Sequence, residues 1–312
     1  NDSCLRQKNS GPVAMIDLKK PTGFAVDLGG TKTAVARIVN GSIINRLSVR
    51  TDGQALPDTY VETMGSMLAD IGYQHGDNLG VAITGRVDAS GVWHAVNLST
   101  LTEVAAIPIA ALIRERIGPA NVMNDAAAAT LAEAKCGAGR EYQNFGYITA
   151  STGIGGGLFL GGRLHQSANG FAGHVGFTSS PLGKQMCGSG RFGTVESVAA
   201  GRAIAQAALA SGYPDLDAKQ VFERAGRGEK WAEDIVENSA LAVTELCADL
   251  TIALGLEAII LAGSIGLADG YIDRVVQHFS KLPKDLRPIL NSSTLGHEGP
   301  LLGALFDQPG QS

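Results

Sequence analysis

Phe24-Ala25-Val26-Asp27-Leu28-Gly29-Gly30-Thr31-Lys32-Thr33-Ala34-Val35-Ala36-Arg37-Ile38 reads as a strand, a glycine turn and a second strand. Farther along, Tyr147-Ile148-Thr149-Ala150-Ser151-Thr152-Gly153-Ile154-Gly155-Gly156-Gly157-Leu158-Phe159-Leu160-Gly161-Gly162 repeats that unit. Asn40-Gly41 is a hairpin turn signal that places a third strand at 42–49. Around the two hairpins, strands at 79–84, 121–123 and 258–262 alternate with helices at 58–71, 107–117, 125–135, 195–211, 219–225, 231–253, 270–279 and 299–306. Strands alternating with helices predict an α/β protein, and a duplicated hairpin predicts two related lobes with a cleft between them.

The 312 residues suffice for two lobes of ordinary size. A hydrophobic content of 45%, net charge of −5 and pI near 5.7 fit a soluble globular protein and argue against a nucleic-acid or membrane-surface partner. The 41 glycines are nearly twice the usual share of about 7% and cluster without a period, which suggests functional loops. Cys4, Cys136, Cys187 and Cys247 lie far apart, so a reducing cytoplasm is expected rather than a disulfide framework. Residues 1–21 carry no apolar signal core and read as a tail or linker; opening on Asn1 fits a processed or excised chain.

Both glycine turns suit phosphate, because small residues let oxygens approach backbone N–H groups. Gly29, Gly30, Thr31 and Lys32 form one, and Ser151, Thr152, Gly153, Gly155 and Gly156 the other, each with hydroxyl donors. Neither has the spacing of a P-loop or of a dinucleotide-binding GxGxxG. Asp27 would hold Mg²⁺ or its water shell. Gly263 and Ser264, closing another buried strand, would face the base and ribose of a nucleotide. Asp125, after Asn124 and before four alanines, reads either as a helix N-cap or as a general base kept ionised by the helix N-terminus. Asn97, His174 and Glu196 are candidates for reading a sugar, with Thr84-Gly85 supplying backbone to the same pocket.

DLGGTK (27–32), Thr84-Gly85, NDAAAATLAE (124–133), STGIGGG (151–157) and GFAGHVG…CGSGRFGTVES (170–197) together resemble the ROK (repressor, open reading frame, kinase) family over roughly residues 22–308. Within it, ITASTGIGGGLFLGGRL, VESVAAGRAIAQAA and AGSIGLADGYI look like the bacterial N-acetylmannosamine kinases. The resemblance implies an actin/hexokinase-like, ribonuclease H-like duplicated fold with an interlobe active-site cleft. It implies a small lobe at 22–124 completed by a C-terminal helix at 297–308, a large lobe at 125–296, and a homodimer. It implies MgATP-dependent phosphorylation of N-acetyl-D-mannosamine at its 6-hydroxyl, a step of sialic acid breakdown, with Asp125 as base. Asn97, Asn124, His174 and Glu196 would lie near the sugar. The alternatives are a kinase for glucose or N-acetylglucosamine, or a sugar-sensing regulator, which needs a DNA-binding segment ahead of the first lobe.

Two positions depart from the family pattern. His174 stands where GExGH carries its Glu, as in some N-acetylmannosamine kinases. The family's zinc positions hold Phe177, Cys187, Ser189 and Thr194, so three of four ligands are gone and no structural zinc is expected. Phe177, Met186 and Phe192 are expected to pack that loop in its place.

Overall fold

The computed structural model describes residues 20–97 and 101–306. The expected tail at 1–21 lies outside them up to residue 19, and the expected last helix beyond residue 306.

The first hairpin pairs β1 (Gly23–Leu28) with β2 (Lys32–Val39), and β3 (Ser42–Arg50) follows. Asn40 and Gly41 both have positive φ, 50° and 74°, as a tight two-residue turn requires. After α1 (Pro57–Asp70) come β4 (Leu79–Ile83) and the short pair β5 (Arg86–Val87) and β6 (Trp93–His94). Then follow α2 (Ile109–Arg116), β7 (Asn121–Asn124) and α3 (Asp125–Cys136). The unit repeats as β8 (Phe145–Ala150), β9 (Ile154–Leu160) and β10 (Arg163–Leu164). Helices α4 (Glu196–Ala199), α5 (Gly201–Ala210), α6 (Ala218–Gly226) and α7 (Lys230–Leu254) lead to β11 (Ala258–Ala262). The chain continues through α8 (Gly263–Gly266), α9 (Tyr271–Phe279), β12 (Ile289–Ser292) and α10 (Gly299–Gly303).

Two five-stranded sheets result, ordered β3-β2-β1-β4-β7 and β10-β9-β8-β11-β12. In each, the first three strands are antiparallel and the last three parallel. The repeat seen in the two hairpins therefore extends to whole sheets. α1 and α2 cover one face of the first sheet, and α5, α6, α7 and α9 one face of the second. Between the sheets, α3 shares a core with Ala82 and Met123 on one side and with Tyr147, Phe159 and Ile260 on the other. α10 packs against α3 and back onto β1, β2 and β4. That seam needs residues without bulk: a Cβ on Gly80 would meet the Ala304 carbonyl oxygen at 2.3 Å, and one on Gly303 the Ala128 oxygen at 1.7 Å.

Three details differ from the sequence expectation. β9 begins at Ile154 rather than at Gly157, so Gly155 and Gly156 are strand residues opposite Thr149 and Ile148. Small residues along this strand serve clearance: a Cβ on Gly156 would lie 2.7 Å from the Tyr147 oxygen, and one on Gly157 2.1 Å from Thr130 Oγ1 on α3. The single helix expected at 195–211 breaks at Ala200 (ψ 154°), because the Gly201 and Arg202 N–H groups donate to the Ser151 and Thr152 carbonyls instead. β12 was not expected, since it is a short edge strand with Ile289 55% exposed and carries no buried apolar run.

Candidate active site

A cleft of about 330 Å³ lies where the glycine turns, the start of α3 and the 173–196 segment meet. Fifteen of the expected residues line it: Gly29, Gly30, Thr31, Thr84, Gly85, Asn97, Asn124, Asp125, Ser151, Thr152, Gly153, Gly155, Gly156, His174 and Glu196. Asp27, Lys32, Gly263 and Ser264 do not. Lys32 is exposed on β2 opposite Arg50. Gly263 (φ +87°) lets α8 start against β8, where a Cβ would sit 2.2 Å from the Ala150 oxygen. Ser264 meets the site only through its hydroxyl, 3.3 Å from that of Ser151.

The start of α3 separates the two readings of Asp125. Asn124 is the N-cap, its Oδ1 accepting from the Ala127 N–H at 3.0 Å. Its Nδ2 donates to the Gly85 carbonyl at 2.7 Å and to Asp125 Oδ1 at 2.9 Å. Both amide hydrogens of Asn124 are thus committed, and its place is behind the carboxylate. Asp125, one residue into the helix, is not the cap. Its Oδ1 also accepts from the Ala126 N–H at 2.8 Å, and the Thr84 hydroxyl donates to the carboxylate. Burial pushes Asp125 up to about 6, although these hydrogen bonds pull the other way. Asp27 is pushed up to about 7, first by burial and then by the charge of Asp125, while Arg46 and Lys32 oppose the rise. Two carboxylates held together in a buried place favour a cation between or beside them.

The second glycine turn is aimed by its own carbonyls. Ser151 O accepts from Gly201 N at 2.7 Å and Thr152 O from Arg202 N at 3.4 Å. In a trans peptide the N–H points opposite the C=O, so the Thr152 and Gly153 N–H groups face away from α5 and toward the cleft. Glu196 clamps this turn to the neighbouring loop. Its Oε2 accepts from the Ile154 N–H at 3.0 Å and its Oε1 from the Gly188 N–H at 3.3 Å. The Thr84 and Gly85 carbonyls accept from Trp93 Nε1 and Asn124 Nδ2, so Thr84 offers the cleft its hydroxyl.

His174 is half-buried, and this desolvation holds its pKa below the usual histidine value; its buried Nδ1 has no hydrogen-bond partner among the described residues. The Phe177 ring lines the cleft beside it, 5.8 Å between centroids. The expected apolar packing of the loop is corrected: Met186 and Phe192 are each 62% exposed. Polar bonds hold the loop instead. Arg191 donates to the Phe177 carbonyl at 2.5 Å and to Ser179 Oγ at 2.9 Å, and Gln185 to the Ser197 carbonyl at 2.8 Å. Cys187 Sγ sits 3.0 Å from Ser189 Oγ. A phenyl ring, two hydroxyls and one thiol do not fit a tetrahedral zinc site. Arg202 also lines the cleft, together with a wall of Ala95, Val96 and Leu101, none of them marked by a motif in the sequence. Arg202 follows directly on the helix break, a feature that a run of helix-forming residues conceals.

The family model described as ROK family matches residues 23–306. The chain belongs to the ROK family. A Haemophilus influenzae protein (strain PittEE) named N-acetylmannosamine kinase is 37% identical over 285 residues, 91% of this chain and 94% of that protein. Among solved structures, a ROK hexokinase from Thermus thermophilus is 30% identical with a TM-score of 0.77, covering 90% of this chain and 96% of its own. A ROK family glucokinase from Streptomyces griseus, in complex with glucose and AMPPNP, is 26% identical with a TM-score of 0.74, covering 91% and 98%. The two-lobed sugar-kinase fold is thus that of this chain, and no helix among the described residues is long and apolar enough to cross a membrane.

Proposed function

We propose that this ROK protein phosphorylates the 6-hydroxyl of N-acetyl-D-mannosamine with ATP. The observation that carries the reading is a carboxylate at the head of α3, released from capping by Asn124, facing a glycine turn whose N–H groups point into the same cleft. Asp125 accepts the hydroxyl proton; Asn124, Ala126 and Thr84 hold the carboxylate in place for it. The second glycine turn and Gly29 to Thr31 cradle phosphate oxygens from opposite lobes, and wall residues such as Leu101 exclude water. Asp27 and Asp125 are the residues that fit Mg²⁺, which when bound neutralises phosphate charge. His174 and Asn97, both lining the cleft, read the sugar, with Glu196 fixing both loops around it. The identity to proteins named N-acetylmannosamine kinase, 32–37% across nearly the whole chain, favours this sugar over glucose or N-acetylglucosamine.

With this reading go lobes at 22–124 and 125–296, a C-terminal helix returning to the first, a cytoplasmic location and a homodimer. A coupled ADP-release assay over hexoses and N-acetylhexosamines tests the reaction, and N-acetylmannosamine is expected to give the highest kcat/KM. A tenfold preference for glucose or N-acetylglucosamine, about 1.4 kcal/mol in transition-state binding, would overturn the substrate and leave the kinase standing.

A further inference from the structure

A nucleoside triphosphate brings several negative charges into a cleft whose own wall carries the carboxylates of Asp125 and Glu196, with Asp27 close behind. Among the described residues that line this cleft, Arg202 is the one Lys or Arg. Lys32 and Arg46 act on Asp27 from outside the lining.

The position of Arg202 along the cleft is fixed by the chain. Its N–H and that of Gly201 hold the Ser151–Thr152 half of the second glycine turn, and its side chain is exposed. Directly after the turn, Gly155 of β9 lies against α3, where its Cβ position is 3.5 Å from the Ala126 Cβ, next to Asp125. The 151–155 segment therefore runs from Arg202 to the proton acceptor. A phosphoryl group transferred near Asp125 leaves the rest of the phosphate chain toward Ser151, Thr152 and Arg202. A guanidinium suits that place, because its planar fork matches phosphate oxygens in pairs and keeps its charge at every working pH.

We propose that Arg202 binds the phosphates that remain on the nucleotide, the diphosphate shared by ATP and ADP, and makes no contact with the sugar. The inference rests on the kinase reading. It assigns Arg202 to nucleotide affinity and the charge of the departing diphosphate.

The test is calorimetric titration of ADP and adenosine, with steady-state kinetics, on the wild type and on Arg202→Met and Arg202→Lys. For Arg202→Met, ADP affinity should fall and KM for ATP rise by roughly ten- to a hundredfold, since a charge-assisted pair is lost. Adenosine affinity and KM for the sugar at saturating ATP should stay within twofold. Arg202→Lys should recover part of the ADP affinity, which a merely structural role would not give, and it carries the test if the Met variant fails to fold. ADP affinity within twofold of wild type in both variants overturns the inference, as does a rise confined to the KM of the sugar. A wild type that turns over no sugar with ATP would instead sink the kinase reading, so the two failures are distinguishable.

Discussion

Asp125→Asn tests the site most directly, because the structure removes the competing explanation. The cap of α3 belongs to Asn124, so helix stability does not depend on the Asp125 carboxylate. An asparagine keeps an oxygen to accept from the Ala126 N–H and Asn124 Nδ2, so the local backbone should persist. It accepts no proton from a hydroxyl, and turnover should fall roughly 10²-fold or more, at least about 2.7 kcal/mol in barrier. Stability should move the other way. Asp125 titrates near 6 in the fold against 3.8 unpaired, so the folded state holds the extra proton between those values. Stability from this group is therefore lost as pH rises from about 4 to 6 and stays lost above, by up to about 3 kcal/mol. The ligand-free Asn variant should accordingly show a higher Tm than wild type at pH 8, with the gap closing below pH 6. ADP release gives the first number and thermal unfolding at several pH values the second. Near-wild-type turnover, or a Tm gap indifferent to pH, would refute the reasoning.

In wild type, kcat/KM for the sugar should decline as pH falls through about 6, where Asp125 becomes protonated; a profile flat to pH 5 would contradict that assignment. Phe177→Ala removes a cleft-lining ring beside His174 while Arg191 still holds the loop through the residue 177 carbonyl. Its effect should be a raised sugar KM more than a lowered Tm, and kinetics together with thermal scans separate the two. Zinc chelators should leave activity intact once Mg²⁺ is supplied, and stoichiometric zinc in elemental analysis would defeat the replacement of that site. Gly303→Ala drives a methyl into the Ala128 carbonyl at the seam of α3 and α10, so Tm or soluble yield should drop by the equivalent of about 1–3 kcal/mol or more. Unchanged unfolding would mean the seam is looser than it looks.

The repeated hairpin, the alternation of strand and helix and most of the cleft lining are legible in the amino-acid order alone. Those features are local: a glycine turn needs its glycines in line, and Asn40-Gly41 announces its own geometry. The tertiary structure decided what adjacency in space requires. Which of Asn124 and Asp125 caps α3 depends on Gly85, thirty-nine residues away, accepting from the amide. The break at Ala200 exists because turn carbonyls from 151 and 152 take the N–H groups that a continuous helix would use. That break is what brings Arg202 into the cleft. Gly155 and Gly156 look like phosphate-binding turn in the sequence, yet they are strand residues, where a Cβ would crowd Thr149 at one and the Tyr147 carbonyl and Val175 at the other. The 183–193 loop has apolar residues that pattern alone assigns to packing, while its polar side chains find partners across it and leave Met186 and Phe192 in water. A sequence pattern records which groups are present, and only the fold decides which partner satisfies each donor and acceptor.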